Sequence, residues 1–182
     1  MNNGYTELHL KYRPKCLADV IGQTAAVASL TKMAKKQIPH SILFSGGSGL
    51  GKTTLARILA NILKCSEFDL HEINGADDRG IETARDLIQQ ARVGPMSGDV
   101  RCFIIDEIHQ MSKKLNGDAQ TTLLKIVEEP PNHTYFFAAT THPDELLPTL
   151  RSRFVEVKLS PIADRLLSDL VHDTAMEESK PI

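Results

Sequence analysis

Residues 44–56 read FSGGSGLGKTTLA: four glycines, then a lysine and two threonines, between an apolar run and a run of helical spacing. Glycine weakens helices and strands alike, so such a cluster needs a local reason. The spacing Gly46-x-x-x-x-Gly51-Lys52-Thr53 supplies one. Glycines let the backbone curl until successive N–H groups converge on an anion, and a helix N-terminus adds partial positive charge. This is the pattern of a phosphate-binding loop. It assigns Gly46, Gly47, Ser48, Gly49, Leu50, Gly51, Lys52, Thr53 and Thr54 to a nucleoside triphosphate. Lys52 would reach the β- and γ-phosphates, and the Thr53 hydroxyl would hold Mg²⁺.

The run FIIDE (103–107) carries the second group of candidates. A carboxylate at the end of a buried strand needs a compensating partner. A magnesium ion shared with Thr53 and phosphate is such a partner, which assigns Asp106 to the metal. Glu107, one residue on, is free to polarise a water for in-line attack on the γ-phosphate. Thr141, in the TTH that ends a later apolar run, could hydrogen-bond that water or the γ-phosphate. DEIH (106–109) also matches the DExH box of helicases, but those enzymes hydrolyse ATP between two similar domains, and 182 residues show no second half.

Holding these groups together requires a strand before the loop, a helix after it and further strands ending beside it. SILFS (41–45) reads as a buried strand, and TTLARILANILK (53–64) has apolar residues at helical spacing. LHEIN (70–74), RCFIID (101–106), TYFFAAT (134–140) and FVEVKL (154–159) read as further strands. Between them lie helical GIETARDLIQQAR (80–92) and DAQTTLLKIVEE (118–129), the latter stopped by Pro130 and Pro131. This alternation predicts an α/β fold: a five-stranded parallel sheet with helices on both faces. In such sheets ligands bind beyond the carboxyl ends of the strands. The glycine loop, Asp106 and Thr141 all follow such ends, so one site could gather them. One helical run, TAAVASLTKMAKK (24–36), precedes the first strand, and another, ADRLLSDLVHDTAMEE (163–178), reads as the opening of a second module.

Hydrophobic residues make up 41% and charged residues 24%, ordinary for a soluble globular domain. A net charge of -2 limits contact with nucleic acid to a local basic patch. No apolar run approaches membrane-spanning length and the N-terminus lacks the apolar core of a signal peptide, so no membrane partner and a cytoplasmic location are expected. Cys16, Cys65 and Cys102 lie far apart and read as small apolar residues or free thiols.

Together KYRPKCLADVIGQ (11–23), the glycine loop, FIIDEIHQMS (103–112), LLKIVEEPP (123–131) and AATTHPDELLPTLRSRF (138–154) resemble the AAA+ ATPase module of DNA clamp-loader subunits. Bacterial gamma/tau subunits are the nearest in pattern and replication factor C small subunits come next. The resemblance runs from about Lys11 to about Leu159. It implies a P-loop AAA+ nucleotide-binding domain over 1–159, with 160–182 beginning a truncated helical lid. It implies ATP and Mg²⁺ as cofactors, and other clamp-loader subunits, a sliding clamp and primer–template DNA as partners. Tyr12, Arg13, Pro14, Val20 and Ile21 would then wrap the adenine, and Thr141 would sense the γ-phosphate. Arg153 of Ser152-Arg153 would be a finger for the neighbouring subunit's ATP, with Arg151 as the competing candidate. INGADDRGIETAR (73–85) would lead into a helix lining a DNA channel, with Arg79 and Arg85 facing backbone phosphate.

The chain departs from that pattern in three ways. Only Cys65 stands where gamma/tau subunits carry a four-cysteine zinc module, so no zinc is expected. Phe154 replaces the usual cysteine after Ser-Arg. The lid's sensor arginine and the assembling collar are missing. Two alternatives are a non-hydrolysing scaffold subunit of the same assembly and another AAA+ remodeller such as a Holliday-junction motor. The complete Lys52, Asp106 and Glu107 set argues against the first and LLKIVEEPP against the second.

Overall fold

The computed structural model describes residues 7–111 and 119–179. Ser112, which closes the FIIDEIHQMS run, and Asp118, which opens the helix expected over 118–129, lie outside them. The chain runs α1 (Leu8–Lys11), α2 (Thr24–Lys36), β1 (Ser41–Ser45), α3 (Lys52–Ile62), β2 (Leu70–Asn74) and α4 (Ile81–Arg92). It continues with β3 (Arg101–Asp106), α5 (Ala119–Glu128), β4 (Thr134–Thr140), α6 (Pro148–Arg151), β5 (Val155–Lys158) and α7 (Asp164–Glu178). The strands form one parallel sheet in the order β2-β3-β4-β1-β5.

Successive side chains of a strand point to opposite faces, and here both faces are covered. Leu43, Phe103, Ile105 and Phe136 pack one layer with Leu87 of α4 and Leu123 of α5. Ile42, Phe44, Ile104 and Phe137 pack the other with Leu30 of α2 and Leu55 and Leu59 of α3. Cys102 lies in this second layer, where burial pushes its thiol up and keeps it protonated. The three cysteines are free thiols.

After β1 the chain crosses to the edge strand β2, returns through β3 and β4, and adds β5 on the far side of β1. That reversal opens a crevice beside the carboxyl end of β1. The register sets Ser45 level with Thr140 and with Lys158, and Asn74 level with Asp106. The loops that follow β1, β3 and β4 therefore meet at one rim.

The opposite rim is fastened by a buried ion pair. Asp69, just before β2, accepts from Ser66 Oγ (2.7 Å), Met96 N (2.6 Å) and Ser97 N (2.8 Å) and meets Arg101 Nη2 at 3.1 Å. Burial raises the pKa of this carboxyl, but the four donors outweigh it and hold the group well below the usual carboxylate range. Arg101 also donates to Gln90 O of α4 at 2.8 Å. Among the described residues no helix is long and apolar enough to cross a membrane. No cluster of three or more His, Cys, Asp or Glu among them could hold a metal ion.

Candidate functional site

The glycine loop leaves β1 through Gly46, whose φ of 149° and whose neighbours both exclude a side chain: a Cβ there would lie 2.7 Å from the Leu159 carbonyl oxygen. It enters α3 through Gly51 in the left-handed conformation (φ 91°). Lys52, the first residue of α3, is 6% exposed, and its Nζ donates to the carbonyls of Gly46 (2.9 Å) and Gly47 (2.8 Å). Burial lowers the pKa of this ammonium, while the carboxylates of Glu107 and Asp106 act in the opposite sense. A buried cation held by neutral carbonyls at a helix N-terminus fits an anionic guest.

Thr53 Oγ1 donates to Asp106 Oδ2 at 2.8 Å, joining the first turn of α3 to the end of β3. A hydroxyl and a carboxylate meeting at the rim form the hard-oxygen pair that suits Mg²⁺. Glu107 follows with φ 46° and ψ 45°, a left-handed backbone that costs a residue with a side chain about 1 kcal/mol or more. The conformation is held from both sides. Gly75 N donates to Asp106 O and Gln110 N to Glu107 O, each at 2.8 Å.

The Glu107 carboxylate is also held at its tip. Oε2 accepts from Thr141 Oγ1 (2.8 Å) and Thr141 N (3.2 Å), and His109 Nδ1 lies 3.2 Å from it. Thr141, expected beside a water or the γ-phosphate, thus sits on the candidate base itself. His109 was not singled out by the sequence; the DExH pattern marked its position but not its contact.

These groups border a cavity of about 760 Å³. Ser48 to Thr54, Asp106 and Glu107 form its floor, and Tyr12, Arg13 and Pro14 line one side. Arg13 Nη1 is buried and has no hydrogen-bond partner among the described residues, so it too can serve an anion. The remaining wall comes from Leu8 and His9 of α1 and from Leu170, Val171, Thr174, Ala175 and Glu178 of α7. Glu178 accepts from Lys11 Nζ (2.6 Å) and from the Tyr12 hydroxyl (2.7 Å), clasping α7 to α1. Sequence reasoning missed this wall, although the α7 positions fall on one face of a helix.

Val20 and Ile21, expected around the base, do not line the cavity. A 3-10 turn at Leu17–Asp19 redirects the chain, Val20 packs against the α2–α3 core layer, and Ile21 is exposed. The next polar residue, buried Gln23, fastens this segment instead. Its amide donates to Ser160 O (2.8 Å) and accepts from Ser160 N (3.1 Å).

The two candidate finger arginines lie away from the cavity. Arg151 forks onto Glu156 of β5 (Nε 3.1 Å, Nη2 3.0 Å) and reaches Asp144 at 3.2 Å. Arg153 donates from Nε to Glu128 Oε2 at 2.8 Å and from Nη1 to Thr149 O at 2.5 Å. Arg79 donates to Ala76 O and to Gln110 Oε1 (3.2 Å), and Arg85 is exposed on α4.

A glycine loop at the switch point of a parallel sheet, facing an Asp-Glu pair at the end of a neighbouring strand, defines the class of P-loop nucleotide-binding proteins. The model of the ATPase family associated with various cellular activities (AAA) matches residues 42–161, and the chain belongs to that family. It is 37% identical over 170 residues to DNA polymerase III subunit gamma/tau of Mycobacterium tuberculosis, a match covering 80% of this chain and 29% of the relative. It is 34% identical over 177 residues to DNA polymerase III subunit tau of Escherichia coli, covering 85% of this chain and 27% of the relative. The chain therefore spans less than a third of these relatives. Among solved structures, the Thermotoga maritima RuvB Holliday junction branch migration motor superposes with a TM-score of 0.72 at 25% identity, covering 92% of this chain and 55% of that one. A DNA polymerase III gamma subunit-related protein of the same organism gives 0.65 at 22% identity, covering 80% and 49%.

Proposed function

We propose that this chain is the ATP-binding and hydrolysing module of a DNA polymerase sliding-clamp loader. Residues 1–159 form its nucleotide-binding domain and 160–182 begin a helical lid. Kinship with DNA polymerase III gamma and tau subunits supports the clamp-loading part. The likeness to the branch migration motor spreads over the same fold at lower identity. The observation that carries hydrolysis, rather than binding alone, is the unbroken run of contacts Thr53–Asp106 and Glu107–Thr141 beside Lys52.

In this reading the loop amides and Lys52 bind the phosphates, with the base lying between the Tyr12–Pro14 segment and α7. Thr53 and Asp106 would hold Mg²⁺, which would supply charge neutralisation for the phosphates. Glu107 orients the attacking water and takes its proton. Thr141 fixes the Glu107 carboxylate and senses the terminal phosphate, and Arg153 serves the site of an adjacent subunit. Other loader subunits, a sliding clamp and primer–template DNA are the partners.

Lys52→Ala tests the reading at its root. Removing the loop's cation should cost at least ~10-fold in ATP affinity by calorimetry, because the phosphates lose a charge-assisted partner. Turnover by the assembled protein should rise with clamp and primer–template DNA and vanish in the variant. Unchanged affinity would overturn the loop assignment, and turnover indifferent to clamp and DNA would overturn the clamp-loading reading.

A further inference from the structure

Glu107 Oε2 carries three contacts, and two of them come from Thr141. The third comes from His109, whose side chain is only 5% exposed. Oε1 has no donor among the described residues. A carboxylate gripped at one oxygen leaves the other to accept a proton, provided the grip fixes its orientation.

His109 is placed to supply part of that grip. It belongs to the 3-10 turn Ile108–Gln110, which Glu107 starts in its left-handed conformation. Its Nδ1 lies 3.2 Å from Glu107 Oε2 and 3.0 Å from Thr140 Oγ1. Thr140 Oγ1 in turn accepts from His142 N at 3.1 Å, and the His142 ring stands 4.9 Å from that of His109. A bare Nδ1 lone pair 3.2 Å from a carboxylate oxygen would be repelled, so this arrangement calls for a proton on Nδ1. Nδ1–H then hydrogen-bonds Thr140 Oγ1 at 3.0 Å, and its positive end faces Oε2 across 3.2 Å as an electrostatic contact. Gln120 Nε2 donates to the His109 carbonyl at 3.4 Å and steadies the turn.

We infer that His109 is a positioning residue for Glu107: its buried ring, fixed by Thr140 with Nδ1 3.2 Å from Oε2, acts together with Thr141 to keep Oε2 in place so that Oε1 is presented for proton abstraction from the attacking water. The inference rests on Glu107 being the base. It makes the histidine of DEIH act through the glutamate two residues before it, without touching the nucleotide.

The test compares His109→Leu, His109→Asn and Glu107→Gln in the complete assembled protein, reading ATP affinity by calorimetry and kcat by phosphate release. Asparagine carries its Nδ2 donor as many bonds from the backbone as Nδ1, whereas leucine carries none. His109→Leu should bind ATP within ~2-fold of the parent while kcat falls at least ~10-fold, the scale of a lost polar contact to a charged group. His109→Asn should recover most of that loss. Added to Glu107→Gln, His109→Leu should change kcat by less than ~2-fold, since nothing is left to position. Parental kcat in His109→Leu beside a crippled Glu107→Gln would overturn this inference alone. So would a fall in affinity and kcat together that asparagine does not rescue. Full activity in Glu107→Gln would overturn the base assignment, and this inference with it.

Discussion

Arg151 and Arg153 are separated by one residue and bound by different geometry. Arg151 makes a two-pronged contact with Glu156, whose other partner is Ser45 of β1 at 2.6 Å. That carboxylate raises the arginine's pKa, and the pair braces β5 against the central strand. Arg153 pairs with Glu128, which is itself half exposed. Exposed pairs of this kind add little to stability and open readily. Arg153→Ala should therefore leave folding and ATP binding by its own subunit intact, while cutting turnover at the adjacent site by ~10³-fold or more. Rings mixing Arg153→Ala with Glu107→Gln subunits should regain activity where an intact arginine meets an intact glutamate. Brisk hydrolysis by Arg153→Ala rings, or no recovery on mixing, would remove the trans assignment. Arg151→Ala should instead lower the melting temperature. The Ser-Arg motif pointed to Arg153, yet the sequence did not show that Arg151 is engaged, although its partner Glu156 stands only five positions on, because spacing along a turn into a strand does not say which way the two side chains face.

The strands were legible nearly to the residue: β1 to β4 span the runs expected, and β5 is shorter by one residue at each end. Two-sided burial makes these runs almost continuously apolar, and the loops between them carry strong punctuation. The glycine loop was legible for the same kind of reason, since Gly46 admits no side chain and Gly51 takes a backbone that favours glycine. The role of α7 was not legible. The run 163–178 read as a helix opening a second module without saying what that helix covers, and the answer, the cavity beside α1, comes from chain positions more than 150 residues away. Val171 lines that cavity yet is 68% exposed, and α7 has no buried residue. Val171→Asp should thus fold as the parent does and weaken ATP binding by ~10-fold, because it sets a carboxylate, costly to desolvate, against the guest. Titration with a fluorescent nucleotide reads this directly, and parental affinity would detach α7 from the site.

Across the whole molecule, chemistry and anchorage occupy opposite rims of the sheet. The candidate site gathers at the carboxyl ends of β1, β3 and β4, while Asp69 and Arg101 lock the other end, 32 positions apart in sequence. That separation hid the pair from any local reading. Breaking a buried pair leaves an uncompensated charge, so Asp69→Asn should lower unfolding stability by about 3 kcal/mol with ATP affinity unchanged. The sign with pH follows from the depressed carboxyl. Its contribution is fully present above the ordinary carboxylate value of about 4 and is lost as pH falls from there toward the folded value. Urea unfolding at neutral pH and below pH 4 should show the gap between parent and variant closing in acid. A gap that stays constant would assign the stabilisation to packing.

Glu178 is the clasp on one wall of the site. The floor of the cavity is built on the sheet, but among the described residues the α7 wall is latched to α1 through one solvent-facing carboxylate. Among the described residues two exposed hydrogen bonds join this wall to α1, and α7 has no buried residue. Opening of that clasp would leave a path for nucleotide along the α1–α7 seam while the sheet keeps its register.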